Sequence, residues 1–168
     1  MRRNLMIALI ALLALTMAAP TVLAQGNGGA PQDASGSIEL KANDPRFPGT
    51  CDFPMLLEFT GKTKTIKLPD GGVVFSSISV SPDLYVTITN LDNDEQATFN
   101  ITGAVLTEKP DSEGNVETVL TGRNLAIDPE VGTVITIGRF TFVFDAEGNL
   151  VQPQEGEGDR IDICELLS

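Results

Sequence analysis

Alternating apolar and polar residues between positions 84 and 102 form the clearest pattern in the chain. From Leu84 to Thr89 every second residue is apolar, and the same alternation returns from Ala97 to Ile101. A polar turn at residues 92–94 separates the two runs. Two runs with a period of two residues, joined by such a turn, predict an antiparallel hairpin with one buried face. Its other face is rich in threonine and is predicted to lie in solvent.

Similar strand-like segments recur from residue 53 to about residue 150, after which the chain is predicted to loosen over residues 152–158 before Ile161 and Ile163 alternate again. They occupy residues 53–59, 62–68 and 73–80, and the second strand of the hairpin is predicted to continue to about Thr107. No segment after residue 24 has a helical period. Eight or nine strands joined by short loops predict an all-β antiparallel meander. Long successive strands favour a closed up-and-down β-barrel, with a two-sheet β-sandwich as the alternative.

Four connections carry the residues that tight turns require. Asp111–Asn115 and Asp145–Asn149 share the pattern Asp-x-Glu-Gly-Asn, and Asp128–Gly132 and Pro69–Gly72 are further turns. An aspartate opens such a turn by accepting hydrogen bonds from the following backbone, and a glycine accepts the positive φ that closes it. These segments lack the long alternating ligand series of a calcium loop, so we interpret them as turns.

The two strands around the Asp128–Gly132 turn allow a register to be predicted. Centring the turn on Glu130 places Gly122 opposite Gly138. On the turn side of this glycine pair the dominant apolar residues have odd numbers, and beyond it they have even numbers. A change of face requires one residue of register, so the sequence predicts a bulge or a sharp bend near the two glycines.

The beginning of the chain has the features of a secretory signal peptide. Residues 1–24 contain two early arginines, an apolar run and a small-residue cleavage site before Gln25. We therefore expect a secreted, extracellular protein with no membrane insertion after signal cleavage. Residues 25–50 are rich in glycine and proline and are predicted to form a flexible linker. Residues 51–168 are predicted to form a single all-β domain.

Two cysteines, Cys51 and Cys164, lie near the ends of the predicted domain. Export places them in an oxidising compartment, and a single pair allows one intramolecular connectivity. We therefore predict a disulfide that joins the first and last parts of the domain. On the chain-entropy model, closing a loop of this length contributes up to about 4–5 kcal/mol.

Composition excludes several function classes. The chain has 23 acidic and 11 basic residues, a net charge of −12, and no histidine. An acidic surface repels phosphate backbones, which argues against nucleic acid as a partner. Without histidine, a Ser-His-Asp or Cys-His nucleophile pair and the common zinc sites cannot form. No cofactor is expected. A paired-carboxylate hydrolase remains possible, although no spacing of the acids indicates a pair.

Arg123 and Arg139 are the candidate ligand-binding residues. Each follows a glycine inside an otherwise apolar strand, and the predicted register places them diagonally across one ladder. One interpretation is a pair that binds an anion or a carboxylate. The alternatives are a structural ion pair with an acid such as Glu58 or Glu117, or two outward-facing arginines.

Asp92, Asp94 and Glu95 are weak candidate ligands for calcium. They cluster in the turn of the predicted hairpin. Carboxylate oxygens in an exported protein can hold Ca²⁺ with low affinity. The alternative interpretation is a solvated turn without a metal.

Several short motifs carry a resemblance to a known group of proteins. They are Cys51-Asp-Phe-Pro54 after a Pro/Gly-rich arm, Thr121-Gly-Arg-Asn124, Gly138-Arg-Phe-Thr-Phe142, the turn Asp145–Asn149, and Ile163-Cys-Glu-Leu-Leu167. Over residues 51–167 the chain resembles exported bacterial all-β proteins with a terminal cysteine pair and no established activity. The resemblance implies the β-fold and the terminal bridge, and it implies no mechanism.

Three functions follow from these observations as hypotheses. The first is an exported β-barrel that binds a small apolar or amphipathic molecule in its interior. The second is a structural or interaction module of the cell exterior, without a pocket, whose partner is an extracellular protein. The third is a carboxylate-dependent hydrolase. The first two differ in whether the inward-facing residues leave a cavity.

Overall fold

A computed structural model describes residues 30–68 and 75–168 of the chain. The predicted signal peptide, the turn at Pro69–Gly72 and the predicted strand residues 73–74 lie outside these ranges. The described residues form eleven strands and one short helix, so the all-β prediction is confirmed. The elements are β1 (Gln32–Asp33), β2 (Gly36–Leu40), β3 (Met55–Thr60), β4 (Lys62–Lys67), β5 (Phe75–Val80), β6 (Tyr85–Asn90), β7 (Gln96–Asn100), β8 (Ala104–Glu108), β9 (Val116–Asp128), β10 (Gly132–Phe144), β11 (Leu150–Asp162) and α1 (Ile163–Leu166).

The strands form two antiparallel sheets. The larger sheet has the order β1-β4-β5-β8-β9-β10-β11, and the smaller sheet has the order β2-β3-β6-β7. Among the described strands no pairing closes either sheet into a barrel, so the barrel prediction is not confirmed. The arrangement of two sheets fits the alternative, a β-sandwich.

The predicted hairpin is present as β6 and β7. Val86 lies opposite Phe99 and Ile88 lies opposite Ala97, with Val86 and Ile88 fully buried. The predicted continuation of the second strand to Thr107 is wrong, because β7 ends at Asn100 and β8 belongs to the larger sheet. Alternation shows which side chains turn inward, and it does not show that the chain changes sheets after Ile101.

One hydrophobic cluster fills the space between the two sheets. Leu57 and Ile88 from the smaller sheet pack in the same cluster as Ile135 from the larger sheet, and all three are fully buried. Burying a side chain of this size contributes about 1.5–3 kcal/mol. This cluster is the main attachment of one sheet to the other.

A second cluster lies on the opposite face of β9 and β10. Its buried residues all have even numbers, on both sides of the Gly122–Gly138 pair, and β9 pairs with β10 without a register shift from Asp128–Gly132 to Val116–Phe144. The predicted bulge is therefore wrong. The apolar set changes parity because the part of the hairpin nearest its turn is buried on both faces. The cluster residues are Leu120, Ala126, Val134, Phe140 and Phe142.

The sharp bend predicted near Gly122 and Gly138 is present. The backbone N–H of Gln154, which lies near Phe142 at the far end of β10, donates to Oδ2 of Asp128 over 3.0 Å. Asp128 lies at the other end of the hairpin, and a straight ladder would separate these groups by roughly 30 Å. The long strands therefore fold back on themselves, and the second cluster fills the inside of the fold.

Residues 30–50 are part of the fold, in contrast to the predicted flexible linker. Leu40 in β2 is fully buried because β2 pairs with β3, and β1 pairs with β4. The alternation of Ile38, Glu39 and Leu40 was too short to identify this strand against the surrounding glycines and prolines. After residue 150, the predicted loosening of the chain is also wrong, because β11 runs to Asp162.

The predicted disulfide is present between Cys51 and Cys164, whose Cα atoms lie 5.2 Å apart. It connects the segment that precedes β3 to α1, which begins after the cap residue Asp162. The bond therefore joins the two sheets at the main cluster, where Cys51 is buried. Within the described ranges, no helix has the length and apolar character needed to cross a membrane.

Candidate functional site

Three glycines at the bend position the predicted arginines. Gly138 in β10 lies directly opposite Gly122 on one side and Gly158 on the other, and all three have positive φ. A Cβ atom on Gly138 would collide with the carbonyl oxygen of Glu157, so only glycine fits at this position. Arg139 follows this row of glycines and projects from the sheet beside the bend.

Arg123 and Arg139 have the diagonal relationship that the sequence predicted. Arg123 lies opposite Ile137, whereas Arg139 lies between Thr121 and Glu157 on the neighbouring strands. Both arginine side chains are exposed. Within residues 30–68 and 75–168, neither guanidinium forms an ion pair with a carboxylate at 4.0 Å or less. The structure thus corresponds to the outward-facing alternative, and anion binding stays a prediction.

The surroundings of the two arginines are acidic. Pairing from strand to strand places five carboxylates on the same face of the larger sheet, so this charged face has a net charge of −3. Negative charge of this density repels an anion and attracts a cation. The predicted anion site therefore has no electrostatic support from its neighbours. The charged face consists of Glu108, Glu117, Arg123, Arg139, Glu155, Glu157 and Asp159.

Glu108 and Glu117 lie next to each other on the charged face. One step beyond the Thr107–Thr118 pair, the register of β8 and β9 brings Glu108 opposite Glu117. Burial raises the pKa of Glu108, the charge of Glu117 raises it further, and Arg139 partly opposes both. The two glutamates line a polar surface depression of about 310 Å³. A raised carboxyl pKa beside a second carboxylate is a feature that acid catalysis can use.

The predicted turns beside this depression are confirmed. The carboxylate of Asp111 accepts hydrogen bonds from the backbone N–H groups of Glu113 and Asn115, and Asp145 makes the equivalent bonds in the second turn. In Asp111, the bond from the Asn115 backbone is the largest cause that lowers the carboxyl pKa. Both carboxylates are therefore committed to their turns.

The turn that contains the calcium candidates does not assemble a metal site. Asp92, Asp94 and Glu95 are exposed, and no group of three or more potential metal ligands is found among the described residues. The turn is instead ordered by Asn90, whose Oδ1 accepts the backbone N–H of Asp92, and by Asn93, which accepts that of Glu95. The structure thus favours the interpretation as a solvated turn.

Two buried polar residues escaped the sequence interpretation. Asn90 is 3% exposed and donates to the carbonyl oxygen of Leu167. Asp44 is 1% exposed and accepts bonds from the Arg46 guanidinium, at 2.6 Å for the shortest, and from the backbone of Lys41. These bonds, the one from the Arg46 side chain first, hold the pKa of Asp44 well below its usual range. The turn signal Asn43-Asp44-Pro45 was the only local indication.

Comparison with family models, with curated proteins and with solved structures finds no match for this chain.

Proposed function

We propose that the protein is an exported structural or interaction module of the cell exterior. The observation that carries the proposal is the cluster between the two sheets, in which Leu57, Ile88 and Ile135 are in the same packed group and fully buried. Interior side chains that pack against one another give a rigid body with its chemistry on the outside. Function then resides in the sheet edges and the charged face.

Two features support export. The basic and apolar pattern of residues 1–24 is that of a secretory signal. The bond between Cys51 and Cys164 is of a kind that persists outside the cytosol. Removal of Arg2 and Arg3 with the signal changes the net charge from −12 to −14, which keeps such a protein dispersed in an extracellular solution.

A closed barrel that binds a small apolar or amphipathic molecule is the alternative. It would need a hollow interior lined by inward-facing residues. Among the described residues these positions are occupied by mutually packed side chains, and the depression beside Glu108 and Glu117 is polar. An apolar ligand would gain little from such a surface. The filled module is therefore the better supported function.

A carboxylate-dependent hydrolase is a third possibility, and one observation favours it. Glu108, with its raised pKa, and Glu117 line the same depression, as a proton donor and a second carboxylate would. Asp111, which also lines the depression, is occupied by turn hydrogen bonds. Hydrolysis that is lost in Glu108→Gln and retained in Glu113→Gln would establish this function in place of the module.

Native mass spectrometry of the protein collected from the culture medium tests the proposal. We expect the mass of residues 25–168 with both cysteines oxidised, and with no small molecule or Ca²⁺ attached. An apolar ligand that stays bound through desalting would favour the ligand-binding function over the structural or interaction module. Retention of the uncleaved chain inside the cells would refute export. The Cys51→Ser variant is a control for the mass assignment of the disulfide.

A further inference from the structure

The larger sheet has two edges that can accept another strand. β11 is the last strand at one end, and its outer side pairs with no described strand. Gln154 is buried and its N–H is bonded to Asp128, so the open part of this edge is the exposed stretch of residues 155–160. At the other end, β1 covers β4 only at Lys62 and Thr63. Residues 64–67 of β4 therefore also have a free side among the described strands. An unpaired edge presents rows of backbone N–H and C=O groups that can pair with a further strand.

The two edges carry opposite charges. β4 contains Lys62, Lys64 and Lys67, three of the five lysines in the chain. β11 presents Glu155, Glu157 and Asp159, all of them exposed. Arg160, the basic residue of β11, is directed away from these acids, because its guanidinium lies 4.5 Å from the ring centre of Phe140 in the second cluster.

A single row of directly opposed residues connects the acidic edge to the basic edge. Successive pairs in the row lie on the same face of the sheet, so Glu157 at one edge and Lys64 at the other project to the same side. Every step along the row is antiparallel, and five steps make β4 antiparallel to β11. The row is Glu157, Arg139, Thr121, Ala104, Val80 and Lys64.

We propose that β11 of one molecule pairs with β4 of a second copy of the chain. A copy placed beside the first in the same orientation presents its β4 antiparallel to β11, with Lys62 and Lys64 on the face that carries the acids and Lys67 on the opposite face. The register that opposes Glu157 to Lys64 also opposes Asp159 to Lys62. Opposite charges directly across a ladder are stabilising, and like charges are destabilising.

The edge charges also select against the other ways of joining two copies. Pairing of two β11 edges would bring Glu155, Glu157 and Asp159 against the same acids, and pairing of two β4 edges would bring lysines together. Both arrangements place like charges across the ladder. Like charges therefore disfavour β11–β11 and β4–β4 pairing, and among the three pairings only β4–β11 places opposite charges across the ladder.

β1 shows that the edge of β4 already accepts an acidic strand. Asp33 in β1 lies opposite Lys62 in an antiparallel pair. Hydrogen bonds from Ser35 are the main cause that lowers the pKa of Asp33, and the charge of Lys62 lowers it in smaller part. β1 is only two residues long, so its hold on β4 is weak. Pairing that includes Lys62 and Asp159 displaces β1, and pairing at residues 64–66 alone leaves β1 in place.

This inference deepens the proposed function, because it names the partner of the module as a second copy. The contact uses two different surfaces, so each molecule retains one free edge of each kind after pairing. Repetition of such a contact produces a ring if the rotation between copies closes, and an open filament if it does not. Without Arg2 and Arg3 of the signal each mature copy has a net charge of −14, which opposes assembly, and salt screens both this repulsion and the edge attraction.

Sedimentation velocity of the mature, oxidised protein over a range of concentrations tests the contact. We expect association that grows with concentration and that weakens by about tenfold in either charge reversal, Lys64→Glu or Glu157→Lys. The double variant Lys64→Glu/Glu157→Lys restores opposite charges and should associate again. Lys41→Glu and Glu147→Lys change the net charge equally at exposed positions outside both edges, and they should behave like the wild type.

A proline variant separates strand pairing from simple charge attraction. The N–H of Leu68 donates to the carbonyl oxygen of Ser76 in β5. Because N–H groups alternate in direction along a strand, those of Ile66 and Lys64 also point toward β5. The N–H of Thr65 therefore points toward the free edge. Thr65→Pro therefore removes an outward donor without breaking the β4–β5 ladder. We expect an unchanged circular dichroism spectrum and loss of association.

Several results would overturn the inference. They are a monomer at every concentration, association that is equal in both charge reversals and in the wild type, a double variant that does not recover, or a folded Thr65→Pro variant that still associates. None of these results concerns export or a bound ligand. A failure of the inference is therefore distinguishable from a failure of the proposed function, which mass spectrometry of the exported chain reports.

Discussion

The side-chain amide of Asn90 donates a hydrogen bond of 2.7 Å to the carbonyl oxygen of Leu167, 77 residues later in the chain. Asn90 ends β6, and its Oδ1 also accepts the backbone N–H of Asp92. One buried side chain thus fixes both the turn of the β6–β7 hairpin and the end of the chain. Leu167 packs in the cluster between the sheets, so this bond contributes to the closure of the core.

Replacing Asn90 tests this role. Asn90→Ala removes two hydrogen bonds in a buried position, and we expect the free energy of unfolding to fall by about 1–3 kcal/mol. Asn93→Ala is the matched control, because Asn93 is exposed and bonds the same Leu167 carbonyl at 3.2 Å. Urea denaturation of the oxidised proteins measures both. An equal loss in the two variants would contradict the central role of Asn90.

The glycines at the bend should differ in their tolerance of a side chain. Gly138→Ala places a methyl group against the carbonyl oxygen of Glu157, so we expect a loss of at least about 2 kcal/mol. At Gly122 the nearest atom to an added Cβ is 3.3 Å away, and the positive φ alone costs about 1 kcal/mol. Thermal unfolding of the two alanine variants gives the comparison. A Gly122→Ala variant that is the less stable of the two would show that crowding does not govern the bend.

Asp44 should make stability depend on acid pH. The pKa of Asp44 is lowered in the folded state from 3.8, first by the hydrogen bond from the Arg46 side chain. The ionised carboxylate therefore contributes fully to the free energy of unfolding above pH 3.8, and this contribution is lost as the pH falls through the folded-state pKa. Asp44→Ala should therefore lower the free energy of unfolding by about 1.5–3 kcal/mol at neutral pH, and by less in strong acid. Unfolding curves from pH 7 downward measure the difference between variant and wild type. If the difference in free energy of unfolding between the variant and the wild type grew as the pH fell, the prediction would be wrong.

Removing the disulfide tests the contribution of the terminal bond. Cys51 and Cys164 are separated by 113 residues, so the chain-entropy model gives about 4–5 kcal/mol for the closed loop. The double variant Cys51→Ser/Cys164→Ser should lose stability of this order. Denaturation of the wild type with and without reductant provides the matched comparison, and reductant should have no effect on the double variant. If the reduced wild type were as stable as the oxidised protein, the two hydrophobic clusters alone would account for the stability.

Local patterns predicted much of the fold. The alternation around Ile88 identified the hairpin and its buried face, the position of Glu130 between two strands gave the register of β9 and β10, and two cysteines gave the disulfide. The hairpin and the register depend on residues that are close in sequence, and two cysteines allow only one intramolecular disulfide. The change of apolar face at the Gly122–Gly138 pair likewise indicated the bend.

Features that depend on which distant strands or clusters contact a given strand could not be predicted from the sequence. The face change at Gly138 suggested a register shift, because a strand buried on both faces by different clusters has the same apolar pattern as a bulged strand. Residues 152–158 were predicted to loosen because charged residues between glycines lack an apolar face, although pairing with β10 extends them. The acidic surroundings of Arg139 come from three strands and have no local sequence signal.

The bond between Cys51 and Cys164 also determines how the protein responds to mechanical load. A pull on the last residue, applied against the segment before residue 51, passes through the two sulfur atoms and bypasses the ladders between them. Stretching therefore detaches the short segments outside the loop, such as β2, and leaves β3 to β11 folded. Under oxidising conditions the domain is an element of nearly fixed length, and reductant converts it into one that extends under force.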